Sequence, residues 1–255
     1  MCRHVAYLGP PATLAELLVD PPHSLLRQSW EPKLQTSGVV NADGFGVGWY
    51  DRDRRPEPAR YRAARPIWAD TNFASLAALV ASTAVVGIVR GATPPSPVEE
   101  SSTPPFVDGR WLFAHNGAIE GFRDRAAGRL RGGMSDRRSS GIVGTSDSEV
   151  VFAILLDQLD AGTGIVDAVR TTVERVCEVA PARLNLVVMD GERVVATRCG
   201  DSLFVRAQGH GTAASVTVAS EPSDDEPWDE VPPDTIVDAT AATVSYTPLS
   251  SASGG

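Results

Sequence analysis

Short apolar runs with period two, bounded by Gly, Pro and Asp, dominate this chain, and they limit it to sheet-rich folds. Strands are expected at 5–8, 44–50, 84–89 and 111–114. The second half adds "LNLVVMDGERVVATR", in which Asp190-Gly191 signals a hairpin turn. Further strands are expected at 203–206, 215–219, 236–239 and 243–246. Helical patterns fall between these runs: "ATLAELLVD" after Pro10-Pro11, "NFASLAALVAS", "SDSEVVFAILLDQLDAG" and "IVDAVRTTVERVCEVA". The third has Ser146 and Glu149 at capping-box spacing and stops at Gly162. In the fourth, Ile165, Val169, Val173, Val176 and Cys177 form one stripe, so Cys177 is expected in the core. Strands in runs with helices between them point to a layered α+β domain, not a doubly wound sheet. One domain over 1–250 is expected, followed by a disordered tail, 251–255.

Three segments read as loops: 51–58, the Pro/Ser-rich 92–105, and 123–146. The last holds six arginines (Arg123, Arg125, Arg129, Arg131, Arg137 and Arg138) and is expected to be a flexible basic surface loop, or a lid over an anionic substrate. The net charge of −9 argues against nucleic acid as a partner. No apolar run is long enough to span a membrane, and no secretory signal opens the chain. Cys2, Cys177 and Cys199 are odd in number and lack metal-ligand spacing, which favours a reducing cytoplasm. The 23 basic residues are 22 Arg and the single Lys33, a pattern of genomic base composition more than of phosphate recognition.

Cys2 is the first chemical signal. Removal of Met1 by a methionine aminopeptidase would leave a thiol and a free amine on one residue. The pKa of that amine lies near neutrality, so it can take the thiol proton and later return it to a leaving amine. Attack on an amide carbonyl then needs donors for the oxyanion. In "FAHNGAI" the side chain of Asn116 and the backbone N–H of Gly117 offer two, although Asn-Gly is also an ordinary turn dipeptide. His115 reads as a structural histidine, because the terminal amine already fills the role of base. Arg90, at the end of an apolar strand, can grip a carboxylate with two prongs. Asp147, at a helix start, can favour the helix dipole or accept from a substrate ammonium. Gly44, Gly46 and Gly48 alternate along a strand and leave one face open to another backbone or a ligand.

Cys2, "NADGFGVGWY", "RGAT", "HNGAI" and "SDSE" together resemble the class II glutamine amidotransferases, which are N-terminal nucleophile hydrolases, and they occur in the same order. The resemblance covers about the first 160 residues and implies a four-layer αββα sandwich that needs no cofactor. It further implies Cys2 as nucleophile and Asn116 with Gly117 as oxyanion hole. Arg90 would bind the glutamyl α-carboxylate, Asp147 the α-ammonium, and Thr93 would line the pocket. Relatives such as glucosamine-phosphate synthase carry histidines where this chain has Ile88 and Pro94, so the wall near the leaving group differs. "MCRHVAYLG", "IVRGATPP" and "ASEPSDDEPWDEVPPDTIV" resemble, more finely, the hydrolase family of ergothioneine biosynthesis. That resemblance implies hydrolysis of γ-glutamyl-hercynylcysteine sulfoxide, a small-molecule substrate whose trimethylammonium could meet one of five tryptophans. Two alternatives stay open: a glutaminase subunit feeding ammonia to a separate synthase, and a non-catalytic module that keeps the fold.

Overall fold

The computed structural model describes residues 2–92 and 97–249. In chain order its elements begin with β1 (Cys2–Thr13), α1 (Leu14–Leu18), α2 (Leu25–Gln28), β2 (Gly44–Trp49), β3 (Ala59–Ala63), α3 (Thr71–Leu79) and β4 (Ala81–Arg90). Then come β5 (Phe106–Asp108), β6 (Trp111–Ile119), α4 (Ala127–Arg131), α5 (Asp136–Ser140), α6 (Asp147–Asp160) and α7 (Ile165–Val179). The last are β7 (Ala182–Met189), β8 (Val194–Arg198), β9 (Phe204–Gln208), β10 (Ser215–Ala219), β11 (Asp229–Glu230), β12 (Thr235–Ala239) and β13 (Val244–Pro248).

Two sheets form, in the orders β11-β9-β10-β1-β4-β2-β3 and β13-β12-β8-β7-β6-β5, with every pairing antiparallel. Side-chain alternation sets the layers. Along β1, Ala6 and Leu8 enter a core shared with Leu112, Ala114, Val187 and Met189 of the other sheet. Val5 and Tyr7 face Leu14, Leu18, Leu25 and Phe73 of α1–α3. On the second sheet, Leu184, Leu186 and Val188 pack against α6 and α7. The result is the αββα sandwich expected. No helix among the described residues is long and apolar enough to cross a membrane.

Several local expectations change. Pro10 and Pro11 do not end β1: its pairing with β4 shifts register between Leu8 and Ala12, a bulge that tolerates their missing donors. The following helix is only five residues long and starts at Leu14. There Thr13 and Glu16 form a reciprocal capping box. The hairpin at Asp190-Gly191 forms as expected, with Asp190 Oδ1 accepting from the amides of Glu192 and Arg193. Cys177 is exposed, while Ile165, Val169, Val173 and Val176 are buried. One residue beyond Val176 turns the thiol about 100° off the stripe.

Segment 123–146 is not a free loop. It holds a π-helical turn (Phe122–Ala126), α4 and α5. Leu130 is fully buried, and Arg175 donates to its carbonyl. Arg138, itself buried, donates to Asp160 at 2.7 and 2.8 Å and to Asp108 at 2.8 Å. Part of the basic charge is therefore spent inside the fold.

Candidate active site

Register brings the first pair of residues together. Cys2, the first residue of β1, is the pairing partner of Arg90, the last residue of β4, and Arg90 is paired on its other side with Gly44. The β-branched run before Arg90 builds a central strand, so the guanidinium emerges buried and beside the thiol. Its Nη2 donates to the Pro97 carbonyl at 3.1 Å, while Nη1 is buried and unpaired among the described residues. The Arg90 carbonyl accepts from Asp43 N, and Asp43 Oδ2 accepts from Ala92 N at 2.7 Å, which fixes both ends of the strand exit. The alternating glycines serve close packing of protein on protein. A Cβ at Gly48 would lie 2.5 Å from Leu112 Cδ2, and one at Gly46 would collide with the Pro104 carbonyl.

The second sheet supplies the next group. "HNG" lies within β6 and is no turn. Asn116 is fully buried; its Oδ1 accepts from Cys2 N at 2.8 Å, and its Nδ2 is buried without a partner among the described residues. A buried amide donor left unpaired beside a thiol is poised for an incoming oxygen. Asn116 pairs with Asn185 of β7, whose side chain holds residues 199–202 through their backbone. Gly117 is required because any Cβ there would strike the Arg183 carbonyl. His115 is structural: Nδ1 meets Ser148 Oγ at 2.9 Å and Nε2 meets the Arg183 carbonyl at 3.0 Å.

Asp147 opens α6 behind its N-cap Ser146. Its Oδ2 accepts from Ile119 N at 3.1 Å, which places it at the end of β6, and Oδ1 accepts from Ser148 N. Glu149 does not close the expected capping box; its carboxylate accepts from Val143 N and Gly144 N. Cys2, Arg90, Asn116, Gly117 and Asp147 thus gather at one end of the sandwich. Thr93 lies outside the described residues. Burial pushes the Cys2 thiol pKa up, against the opposing charges of Arg90 and Arg3 and a hydrogen bond from the Gly91 backbone. A base is needed to ionise it.

Spacing gave no sign of two further features. Arg3 and Glu221 are fully buried and joined at 2.7 Å, and Arg3 Nη1 donates to the Cys2 carbonyl at 3.0 Å. Glu221 also accepts from His23 Nε2, Lys33 N and Leu34 N. Burial alone would raise its pKa, but these bonds and the Arg3 charge outweigh it and hold the carboxyl below its usual range. The other feature is His4, fully buried two residues along β1 from Cys2, with both ring nitrogens unpaired among the described residues.

Burial, then the nearby charges of Arg3 and His115, lower the His4 pKa to about 3. An unfolded histidine titrates at about 6.5, so between these values the unfolded chain binds the extra proton. Stability from this group is complete above pH 6.5 and is lost as pH falls towards 3. The full span corresponds to about 5 kcal/mol. Urea titrations of wild type and His4→Leu from pH 7 to 4 are expected to show wild-type stability falling relative to that of the variant as pH falls. Parallel pH profiles would contradict a neutral buried His4.

A family model for the class-II glutamine amidotransferases matches residues 24–214. A Mycolicibacterium smegmatis protein named γ-glutamyl-hercynylcysteine sulfoxide hydrolase is 41% identical over 251 residues, covering 98% of this chain and 100% of that one. A Mycobacterium tuberculosis protein of the same name is 38% identical over 256 residues, covering 100% of this chain and 99% of its own. A solved glutamine aminotransferase class-II domain protein from Silicibacter pomeroyi superposes with a TM-score of 0.71. It is 24% identical and covers 98% of this chain and 100% of its own, which supports the fold. The order of motifs, the two-sheet site and these matches converge: the chain belongs to the class-II glutamine amidotransferases.

Proposed function

We propose that the protein hydrolyses the γ-glutamyl amide of γ-glutamyl-hercynylcysteine sulfoxide, releasing glutamate and hercynylcysteine sulfoxide. The observation that carries this reading is the 41% identity, end to end, with a relative of that name. The cytoplasm, where thiols stay reduced, suits such a catalyst, and methionine aminopeptidase matures it.

The mechanism follows from the placement of the groups. With Met1 removed, Cys2 N is a free amine, anchored by Asn116 Oδ1 at 2.8 Å. It takes the thiol proton, and the thiolate attacks the γ-carbonyl carbon. Negative charge moves to the carbonyl oxygen, where Asn116 Nδ2 and the Gly117 N–H donate to it. Collapse breaks the C–N bond, and the ammonium of Cys2 returns its proton to the leaving amine. Water then attacks the γ-glutamyl thioester, giving its proton to the same amine, and the thiol departs. Arg90 binds the glutamyl α-carboxylate through its unpaired Nη1, and Asp147 binds the α-ammonium.

A panel of γ-glutamyl amides assayed with processed enzyme tests this assignment. Glutamate release from γ-glutamyl-cysteinyl sulfoxides is expected to exceed release from glutamine by about tenfold or more in kcat/KM. Equal or faster turnover of glutamine would contradict it and favour a glutaminase.

A further inference from the structure

The glutamyl half of the substrate has two charged partners, but the leaving half has none assigned. A γ-glutamyl amino acid differs from glutamine by a carboxylate one carbon from the leaving nitrogen. A site that selects the former needs a cation on the side of Cys2 away from Arg90.

The strands define that side. β1 lies between β4, which carries Arg90, and β10, whose exit residues Ser220 and Glu221 meet His4 and Arg3. In the facing sheet β6 lies between β5 and β7. The Glu120 N–H points to the β7 side, where it donates to the Pro181 carbonyl, and the preceding Ile119 N–H points the other way, to Asp147. Ser202 Oγ donates to the Ser220 carbonyl, so the turn after β8 and the exit of β10 lie together. Arg90 and Asp147 therefore occupy one flank of the Cys2–Asn116 pair. β7, β10 and residues 199–202 occupy the other.

On that second flank stands Arg183. Leu184, Leu186 and Val188 of β7 face the helices, while Val187 and Met189 face the core between the sheets. Arg183 and Asn185 consequently share the inner face. Asn185 is the pairing partner of Asn116, and Arg183 is the partner of Ala118, two residues nearer the open end. The stem of Arg183 lies on Gly200, where a Cβ would stand 2.7 Å from Arg183 Cγ and where φ is +116°. Its Nε is 3.5 Å from Oδ2 of Asp201, whose side chain is only 2% exposed, whereas that of Arg183 is 41% exposed. Its Nε is buried without a hydrogen-bond partner among the described residues, and the side chain's 41% exposure leaves the outer nitrogens of the fork to solvent.

We infer that Arg183, oriented by Asp201, binds the carboxylate adjacent to the leaving amine and so selects γ-glutamyl amino acids over glutamine. This assignment rests on the hydrolase reading above. The contact that holds His115 uses the Arg183 carbonyl and survives replacement of the side chain.

γ-Glutamyl-alanine and γ-glutamyl-ethylamide differ only in that carboxylate and make the matched probe. Wild type is expected to prefer the alanine compound by about tenfold or more in kcat/KM, in line with a charge-assisted pair. In R183Q the ratio is expected to fall to near one. R183Q leaves the Asp201 carboxylate buried beside a neutral group, so R183Q/D201N is measured in parallel, with the same collapse expected. A ratio kept in either variant, including an equal loss on both substrates, would overturn the assignment to Arg183. A wild type that cleaves both without preference would overturn it too, leaving the hydrolase reading intact. Cleavage of γ-glutamyl-cysteinyl sulfoxides but of neither probe would also overturn it, and cleavage of none of these compounds would remove the hydrolase reading itself.

Discussion

Replacing Cys2 with Ala lowers glutamate release by about 10⁴-fold or more, the scale set by removal of a covalent nucleophile. The expectation follows from geometry. The thiol sits at the first residue of β1, paired with Arg90 and tied through its own N to Asn116. Of the two histidines near it, His115 is engaged at both ring nitrogens, by Ser148 Oγ and the Arg183 carbonyl, and His4 is fully buried. Cys2 is half-buried and only flanks the inter-sheet core, so the fold should change in stability by about 1 kcal/mol or less. Unfolding curves that match wild type, beside lost activity, separate chemistry from folding. Substantial turnover by Cys2→Ala would mean that another group attacks the amide.

Asn116→Ala should cost more than about 10²–10³ in kcat, the range for losing one oxyanion donor alone. Two functions meet in this side chain, and two variants divide them. Asn116→Asp keeps an oxygen able to accept from Cys2 N but removes the Nδ2 donor, now buried and unpaired. Stabilisation of the developing oxyanion is a transition-state effect, so kcat should fall while KM changes little. An aspartate variant with wild-type kcat would show that Nδ2 does not face the oxyanion. Asn116→Ala should also release the amine of Cys2, and its deficit should exceed that of a lost donor alone.

Much of this site could be read from local pattern. The apolar run ending at Arg90 and the cysteine at position 2 are both strand ends, and antiparallel pairing placed them side by side. The capped start of α6 put Asp147 beside the end of β6. Several errors share a cause, which is that the deciding partner lay far away in the chain. Asn116-Gly117 resembled a turn because the strand that flattens it, β7, begins more than sixty residues later. The arginines of 123–146 looked solvated because Asp108 and Asp160, which hold Arg138, flank the segment from outside. Glu221 gave no signal at all: its function depends on Arg3, His23 and two backbone amides brought together only by the finished sheet. Arg183 passed as one of 22 arginines until strand alternation showed which face it occupies.

The central claim is that Cys2, freed of Met1, forms a γ-glutamyl thioester. Rapid-quench mass spectrometry of processed enzyme during turnover tests it most directly. The predicted result is a single added glutamyl group, mapped to a peptide beginning at Cys2, absent in Cys2→Ala and absent when Met1 is retained. An adduct on any other residue, or full turnover by protein that still carries Met1, would contradict the account.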